Sequence, residues 1–296
     1  MLYLFSLAAV LAGCSQPNAR LEQLARQHDH QLASLQTSHF DLRVALPDSA
    51  PPSTRLRVYL EGDGRAWITA TQASLDPTPR DLLLARLALA DPRPSVYLAR
   101  PCQFIQSPGC APRYWTDARF SEAVLSSLGQ ALDQLKRRYG NHDFELIGYS
   151  GGGALVLLLA AHRNDIAQVQ TLAGNLSPRQ WAREQGLARL TQSLEPLDFA
   201  ERLRELPQRH LVGDADRVVP ASLLQRYAGR LGQPRCMQLA VLPDVEHGVG
   251  WPEAWQYWRD RPIACKSSAA AADEPTARSA ADVLPSTAVP PPATAP

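Results

Sequence analysis

The chain has 296 residues, of which 45% are hydrophobic and 20% charged, with a formal net charge of +1. That length can bury one full-sized α/β core or two small ones, and the composition is that of an ordinary globular protein. A charge so near zero, with no dense Lys/Arg patch and interleaved aromatics, gives no electrostatic case for a nucleic-acid partner.

The N-terminal stretch LYLFSLAAVLAGCSQ is apolar and ends in Leu11-Ala12-Gly13-Cys14. It is too short to span a bilayer as a helix but has the length of a signal h-region. Small residues before a cysteine resemble the lipobox of bacterial lipoproteins. The resemblance implies a signal peptide over residues 1–13, acylation of Cys14, and a lipid-anchored protein of the outer membrane that faces the periplasm. Five cysteines are present. Setting Cys14 aside leaves four, and Cys102–Cys110 and Cys236–Cys265 are the pairings local in sequence among three possible connectivities. No C-x-x-C or clustered Cys/His spacing points to zinc, and no metal site is expected.

Residues 14–37 are polar and Gln/Ala-rich, and read as a tether with some helical character. A folded domain is expected over 38–265. Within it, 39–47 and 54–62 pattern as strands, 80–90 as a helix and 95–101 as a strand. Residues 120–139 place Val124, Leu128, Leu132 and Leu135 at helical spacing and stop at Gly140, a residue suited to a C-cap. A strand over 143–149, a buried helix over 151–162, and strands over 167–174, 207–214 and 236–244 follow. Helices over 220–231 and 252–260 each start with a proline, whose fixed φ suits the first turn. The alternation predicts a mostly parallel sheet covered by helices on both faces. Residues 266–296 are Ala/Pro/Ser/Thr-rich with almost no large apolar side chain, a composition that cannot offset its ordering entropy, so a disordered tail is expected.

Gly148-Tyr149-Ser150-Gly151-Gly152 is a G-x-S-x-G between a predicted strand and a predicted helix. In that context Gly148 and Gly152 permit close backbone approach, and Ser150 takes a strained turn that exposes its hydroxyl. The N–H of Gly151, at the helix start, is a candidate oxyanion donor. A serine hydroxyl needs a base, and the base needs an orienting carboxylate, here expected in the order Ser, Asp, His. Asp216 follows one strand in GDADRVVP and His247 follows the last in LPDVEHGVGW. Asp214 competes as the acid, though the G-x-x-D spacing favours Asp216. Of seven histidines, His247 alone lies downstream of the acid and near a strand end.

With GYSGGG, GDADRVVP, EHGVGW and YLEGDGRAW on the page, residues 39–262 resemble the α/β-hydrolases, in particular bacterial α/β-hydrolase-fold lipoproteins of poorly defined substrate. The resemblance implies an α/β-hydrolase fold with a small cap or none. It makes Asp216 the acid, as the last Asp of G-x-x-D-x-V-V-P, and His247 the base. It also implies a second oxyanion donor in the loop after the third strand. A His-Gly pair is common there; this chain has Glu61-Gly62-Asp63-Gly64, and the backbone N–H of Asp63 is the expected donor.

The expected function is a serine hydrolase acting on small acyl substrates, carboxylic esters foremost, through an acyl-enzyme and without a cofactor. An idle binding scaffold in the cell envelope, an acyltransferase and a peptidase are the alternatives, because fold alone does not settle the bond. Tyr114 and Trp115 either line the substrate pocket or pack the next helix. Trp181 falls where many relatives carry a lid.

Overall fold

The computed structural model describes residues 17–49, 54–69 and 71–265. The expected signal peptide, Cys14 and the Ala/Pro-rich tail lie outside them. Among the described residues no helix is long and apolar enough to cross a membrane.

Eight strands form one sheet: β1 (His30–Gln36), β2 (Asp41–Pro47), β3 (Arg55–Leu60), β4 (Ser95–Leu98), β5 (Asp143–Tyr149), β6 (Ile166–Leu172), β7 (Gln208–Gly213) and β8 (Met237–Leu242). Their order is β1-β2-β4-β3-β5-β6-β7-β8. β2 runs antiparallel to both its neighbours, and every other pairing is parallel. Side chains alternate across a strand, so both faces of a covered parallel sheet must be apolar. Leu56, Val58 and Leu60 point into one core with Leu146 and Val96, while Tyr59 points into the other with Tyr97 and Ile147.

The first core is closed by α3 (Glu122–Tyr139) and α4 (Gly152–His162), the second by α1 (Pro17–Gln27), α2 (Leu83–Leu89) and α8 (Trp251–Trp258). α3 shows the amphipathic spacing expected of a helix with one wet face, and ends where Gly140 turns left-handed at φ 65°. α4 reads GGALVLLLAAH and is buried almost throughout, so its sequence carries no polar stripe. A helix apolar all round is stable only when enclosed on all sides, and this one lies between the sheet and the neighbouring helices.

Residues 17–36 do not form a tether. They fold as α1 and β1, with β1 paired antiparallel to β2 from His30↔Pro47 to Gln36↔Asp41. Leu21 and Ala25 are buried, and Asn18 Nδ2 donates to Phe104 O at 2.7 Å. The segment reads as polar because β1 is an edge strand whose side chains are mostly half-buried or exposed. The remaining helices are α5 (Pro178–Glu184), α6 (Ala200–Glu205) and α7 (Ala221–Leu231). α5 and α6 lie between β6 and β7, making a short insertion and no large cap. Cys102 is bonded to Cys110, and Cys236 to Cys265.

Candidate active site

Chain order reverses across the sheet next to β3: the chain goes from β3 to β4 on one side, then returns to β5 on the other. In open α/β sheets a crevice forms beyond the carboxyl ends of the strands at such a point. β3 and β5 end there in register, Leu60 opposite Gly148. The loops that follow are Glu61-Gly62-Asp63 and Tyr149-Ser150-Gly151.

Ser150 has φ 51°, left-handed backbone that a non-glycine residue adopts only when its surroundings enforce it. Here they do. Its N–H donates to Leu172 O at 3.0 Å, and its carbonyl accepts from Gly153 and Asn175 at 2.9 Å each. The turn is so tight that a Cβ on Gly148 would lie 2.5 Å from Gly152 O, and one on Gly152 would lie 2.3 Å from Leu60 O. Those contacts are why the motif needs glycine at both ends.

Ser150 Oγ is 3.0 Å from His247 Nε2, and His247 Nδ1 is 2.9 Å from Asp216 Oδ2. A carboxylate only accepts, so this contact makes Nδ1 the protonated nitrogen and leaves Nε2 free to take a proton from Ser150. The Asp216 side chain is fully buried, and its other oxygen accepts the N–H groups of Val218 and Val219 at 2.8 Å each. Asp214 is turned away and caps the turn before His247, accepting from Asp244 N–H at 2.9 Å. The His247 carbonyl accepts from Tyr149 Oη–H and Trp251 Nε1–H, both at 2.9 Å. Tyr149 is thus coupled to His247 as well as adjacent to Ser150, and its ring lies 5.3 Å from the imidazole.

The other histidines are elsewhere. His210 is buried in β7 between Thr171 and Gln208, and burial pushes its imidazole down to about 3. His162 packs against Phe199, and His30 is held within β1 by His28 O and Ser95 O.

The two oxyanion candidates adjoin one another. A Cβ on Gly151 would fall 2.2 Å from Asp63 Oδ1, and one on Gly62 would fall 3.0 Å from Ser150 Cβ. The Asp63 side chain is turned into an ion-pair cluster with Arg100 and Arg119, both almost fully buried. Desolvation pushes the Asp63 carboxyl up, but Arg119 and Arg100 outweigh it and hold it below its ordinary value. A bare carboxylate so near the elbow would oppose a developing oxyanion; here two guanidiniums more than neutralise it. The N–H groups of Asp63 and Gly151 donate to no group among the described residues.

Glu61 accepts Gly62 N–H and Tyr97 Oη–H at 2.8 Å each, which fixes the peptide just before Asp63. Its burial pushes the carboxyl up to about 7, against the pull of those two donors and of Arg100.

A cavity of about 560 Å³ opens on Ser150 and His247. Trp67, Trp181, Val218 and Leu84 supply apolar wall, and Arg65, Arg80 and Arg119 supply charge. Trp115 and Tyr114 take no part in it. Trp115 is buried and donates to Ser74 O at 3.0 Å, and Tyr114 packs edge-on against Phe40 at 4.8 Å. Of the two roles left open for these aromatics, pocket lining is not realised, and the partners just named, Ser74 and Phe40, lie outside the next helix. Trp181 does line the cavity, on α5, with its indole N–H on Val218 O at 2.7 Å. Among the described residues no cluster of three His, Cys, Asp or Glu side chains is placed to hold a metal ion.

No protein-family model matches the chain, and no curated protein matches it by sequence. Solved structures do match it in shape. The esterase Pf2001 of Pyrococcus furiosus superposes with a TM-score of 0.58 at 13% identity, over 83% of this chain and 93% of that one. Est1E of Butyrivibrio proteoclasticus gives 0.55 at 15% identity, over 76% and 94%. The acylaminoacyl peptidase of Pyrococcus horikoshii gives 0.53 at 11% identity, over 74% of this chain and 37% of that one. The fold is that of the α/β-hydrolases. In α/β-hydrolase terms, Ser150 stands on the elbow after β5, Asp216 after β7 and His247 after β8, the chain order expected from sequence. Missing from that expectation were Arg100, Arg119 and Trp67, and any role for Glu61 or Tyr149. The Glu-Gly-Asp-Gly after β3, where a His-Gly pair is common, was the one sequence signal in that region.

Proposed function

We propose that this protein is a serine hydrolase that cleaves carboxylic esters through an acyl-enzyme. The observation that carries the reading is the relay Ser150 Oγ–His247 Nε2–Nδ1–Asp216, with both links at hydrogen-bond distance. Ser150 attacks the ester carbonyl as its proton passes to His247 Nε2, and Asp216 stabilises the imidazolium. The N–H groups of Gly151 and Asp63 receive the tetrahedral oxyanion. His247 then protonates the leaving alcohol, and water, deprotonated by the same imidazole, releases the acid and restores Ser150. The apolar cavity wall suits a modest acyl or alcohol group, and the lack of a large cap leaves the site accessible.

The proposal extends to location: cleavage before Cys14 and acylation of that residue would hold the enzyme at the outer membrane, facing the periplasm. Metabolic labelling with an alkynyl fatty acid tests it, since the label should disappear in Cys14→Ser.

For the chemistry, a fluorophosphonate probe should label the folded protein and fail to label Ser150→Ala. Equal labelling of the two, or none of the wild type, would overturn the nucleophile and leave an idle envelope scaffold. An ester, thioester and peptide panel against the same pair then ranks the bonds, and competition by added alcohols during deacylation detects acyl transfer.

A further inference from the structure

The cavity at Ser150 is lined by three acids, Glu61, Asp63 and Asp81, and by three arginines, Arg65, Arg80 and Arg119, and the acids are engaged by other groups while several arginine donors are not. Arg100 and Arg119 share the carboxylate of Asp63, and the buried Glu61 is the other acid acting on Arg100. Arg119 is immobilised: Nε donates to Thr116 O at 2.6 Å, Nη1 to Asp63 Oδ2 at 2.8 Å, and the guanidinium lies 5.9 Å from the Trp181 ring centre. Its Nη2 has no partner among the described residues. The side chains of Arg65 and Arg80 line the same cavity, and neither makes a hydrogen bond or ion pair among the described residues. The acids nearby are already engaged. Asp81 is paired with Arg86 at 2.5 Å, and Glu61 is buried beneath Gly62 N–H and Tyr97 Oη–H.

Guanidiniums that line a cleft without protein partners hold their donors in a rigid fork that matches carboxylate and phosphate oxygens. An apolar wall of Trp67 and Trp181 beside them suits the hydrocarbon that would join such an anion to the ester. We infer that the substrate is an anionic ester, one that carries a carboxylate or phosphate group held by Arg65, Arg80 and Arg119 while its carbonyl lies at Ser150. This rests on the reading of Ser150 as the nucleophile, and it adds what that reading lacks: a chemical class of substrate.

The test compares matched esters. Mono-4-nitrophenyl glutarate and its methyl ester place the anion, or its neutral counterpart, on the acyl side. 4-Carboxyphenyl butyrate and its methyl ester place it on the alcohol side. In at least one pair the anionic member should show a kcat/KM about 10-fold higher, the size expected of a single added charge-assisted contact. That ratio should fall toward one in Arg65→Gln/Arg80→Gln. Glutarate and inorganic phosphate, compared as inhibitors, separate a carboxylate from a phosphate preference. Calorimetric binding of the same four esters to Ser150→Ala reads the preference without turnover. Ratios within twofold of one in both pairs, by kinetics and by binding, overturn the inference, as does a preference that survives the double variant. No hydrolysis of any ester, with the binding preference intact in Ser150→Ala, would sink the nucleophile and leave the anionic ligand standing.

Discussion

Gly151 stands so close to Asp63 that a methyl group on the glycine would lie 2.2 Å from Asp63 Oδ1 and 2.9 Å from Arg100 Nη1. The Asp63 carboxylate has little freedom to retreat, because Arg100 and Arg119 grip it and are themselves buried. Gly151→Ala should therefore displace Asp63 and, with it, the backbone N–H proposed to meet the oxyanion. The expected result is a kcat lowered about 100-fold in the folded variant, the scale on which a lost oxyanion donor acts, with a lowered melting temperature as the buried ion-pair cluster shifts. A kcat within threefold of wild type would remove Asp63 from the oxyanion hole.

The Glu61 carboxyl titrates at about 7 in the folded protein, raised chiefly by desolvation from an ordinary 4.5. A raised pKa means the folded state holds its proton more tightly than the unfolded chain. Stability from this group is then fully present below about pH 4.5 and is lost as pH rises through about 7, a loss of about 3 kcal/mol. Glu61→Gln removes the titration while keeping an acceptor for Gly62 N–H. Urea unfolding at pH 5 and pH 8 should show the variant gaining on wild type by most of that amount, about 2.5 kcal/mol, at the higher pH. An unchanged difference between the two would mean that Glu61 does not ionise in this range.

At the opposite end of the sheet Arg57 is enclosed by acids. Its Nε meets Glu145 at 3.0 Å, Nη1 meets Asp91 at 3.0 Å and Nη2 meets Asp260 at 2.8 Å. Asp91 and Glu145 are buried, so Arg57→Ala strands two carboxylates away from water. The expected loss is about 4 kcal/mol, and roughly 10 °C in melting temperature for a domain of this size. Adding Glu145→Gln should cost less than the two single changes summed, because the pair is coupled. Strict additivity would mean that the two do not interact.

The disulfides close loops of unequal length, with sequence separations of 8 for Cys102–Cys110 and 29 for Cys236–Cys265. Loop-closure entropy predicts about 2.5 kcal/mol from the first and about 3.5 kcal/mol from the second. Replacing each pair by serine and comparing urea midpoints should give the larger loss for Cys236→Ser/Cys265→Ser. The reverse order would place the effect in native contacts of the 102–110 loop.

Much of this arrangement was legible in the sequence, for local reasons. The strand before Ser150 and the helix after it are dense apolar runs, and the glycines at 148 and 152 mark a steric need that any homologous turn shares. Asp216 and His247 follow strands whose ends could be read from their turn residues. α1 and β1 were not legible, since an edge strand with mostly half-exposed side chains carries the same polar signal as a tether. Nor was Arg119, which reaches Asp63 from 56 positions away. Trp115 was a candidate for the pocket and Trp181 for a lid position, and only the packing of distant segments sends the first into the core and the second to the cavity. Contacts of that kind have no signature in local periodicity.

The folding of residues 17–36 changes how far the site could travel from a membrane. A tether over 14–37 would have let the domain range up to about 80 Å from an anchor at Cys14, at roughly 3.4 Å per residue. With α1 starting at Pro17 and docked through Leu21, Ala25 and Asn18, the chain from Cys14 to the fold can span at most about 10 Å. An acylated Cys14 would then moor the catalytic domain against the lipid surface. Its catch would be limited to molecules that come within about a protein's diameter of the bilayer, with no periplasm-wide sweep.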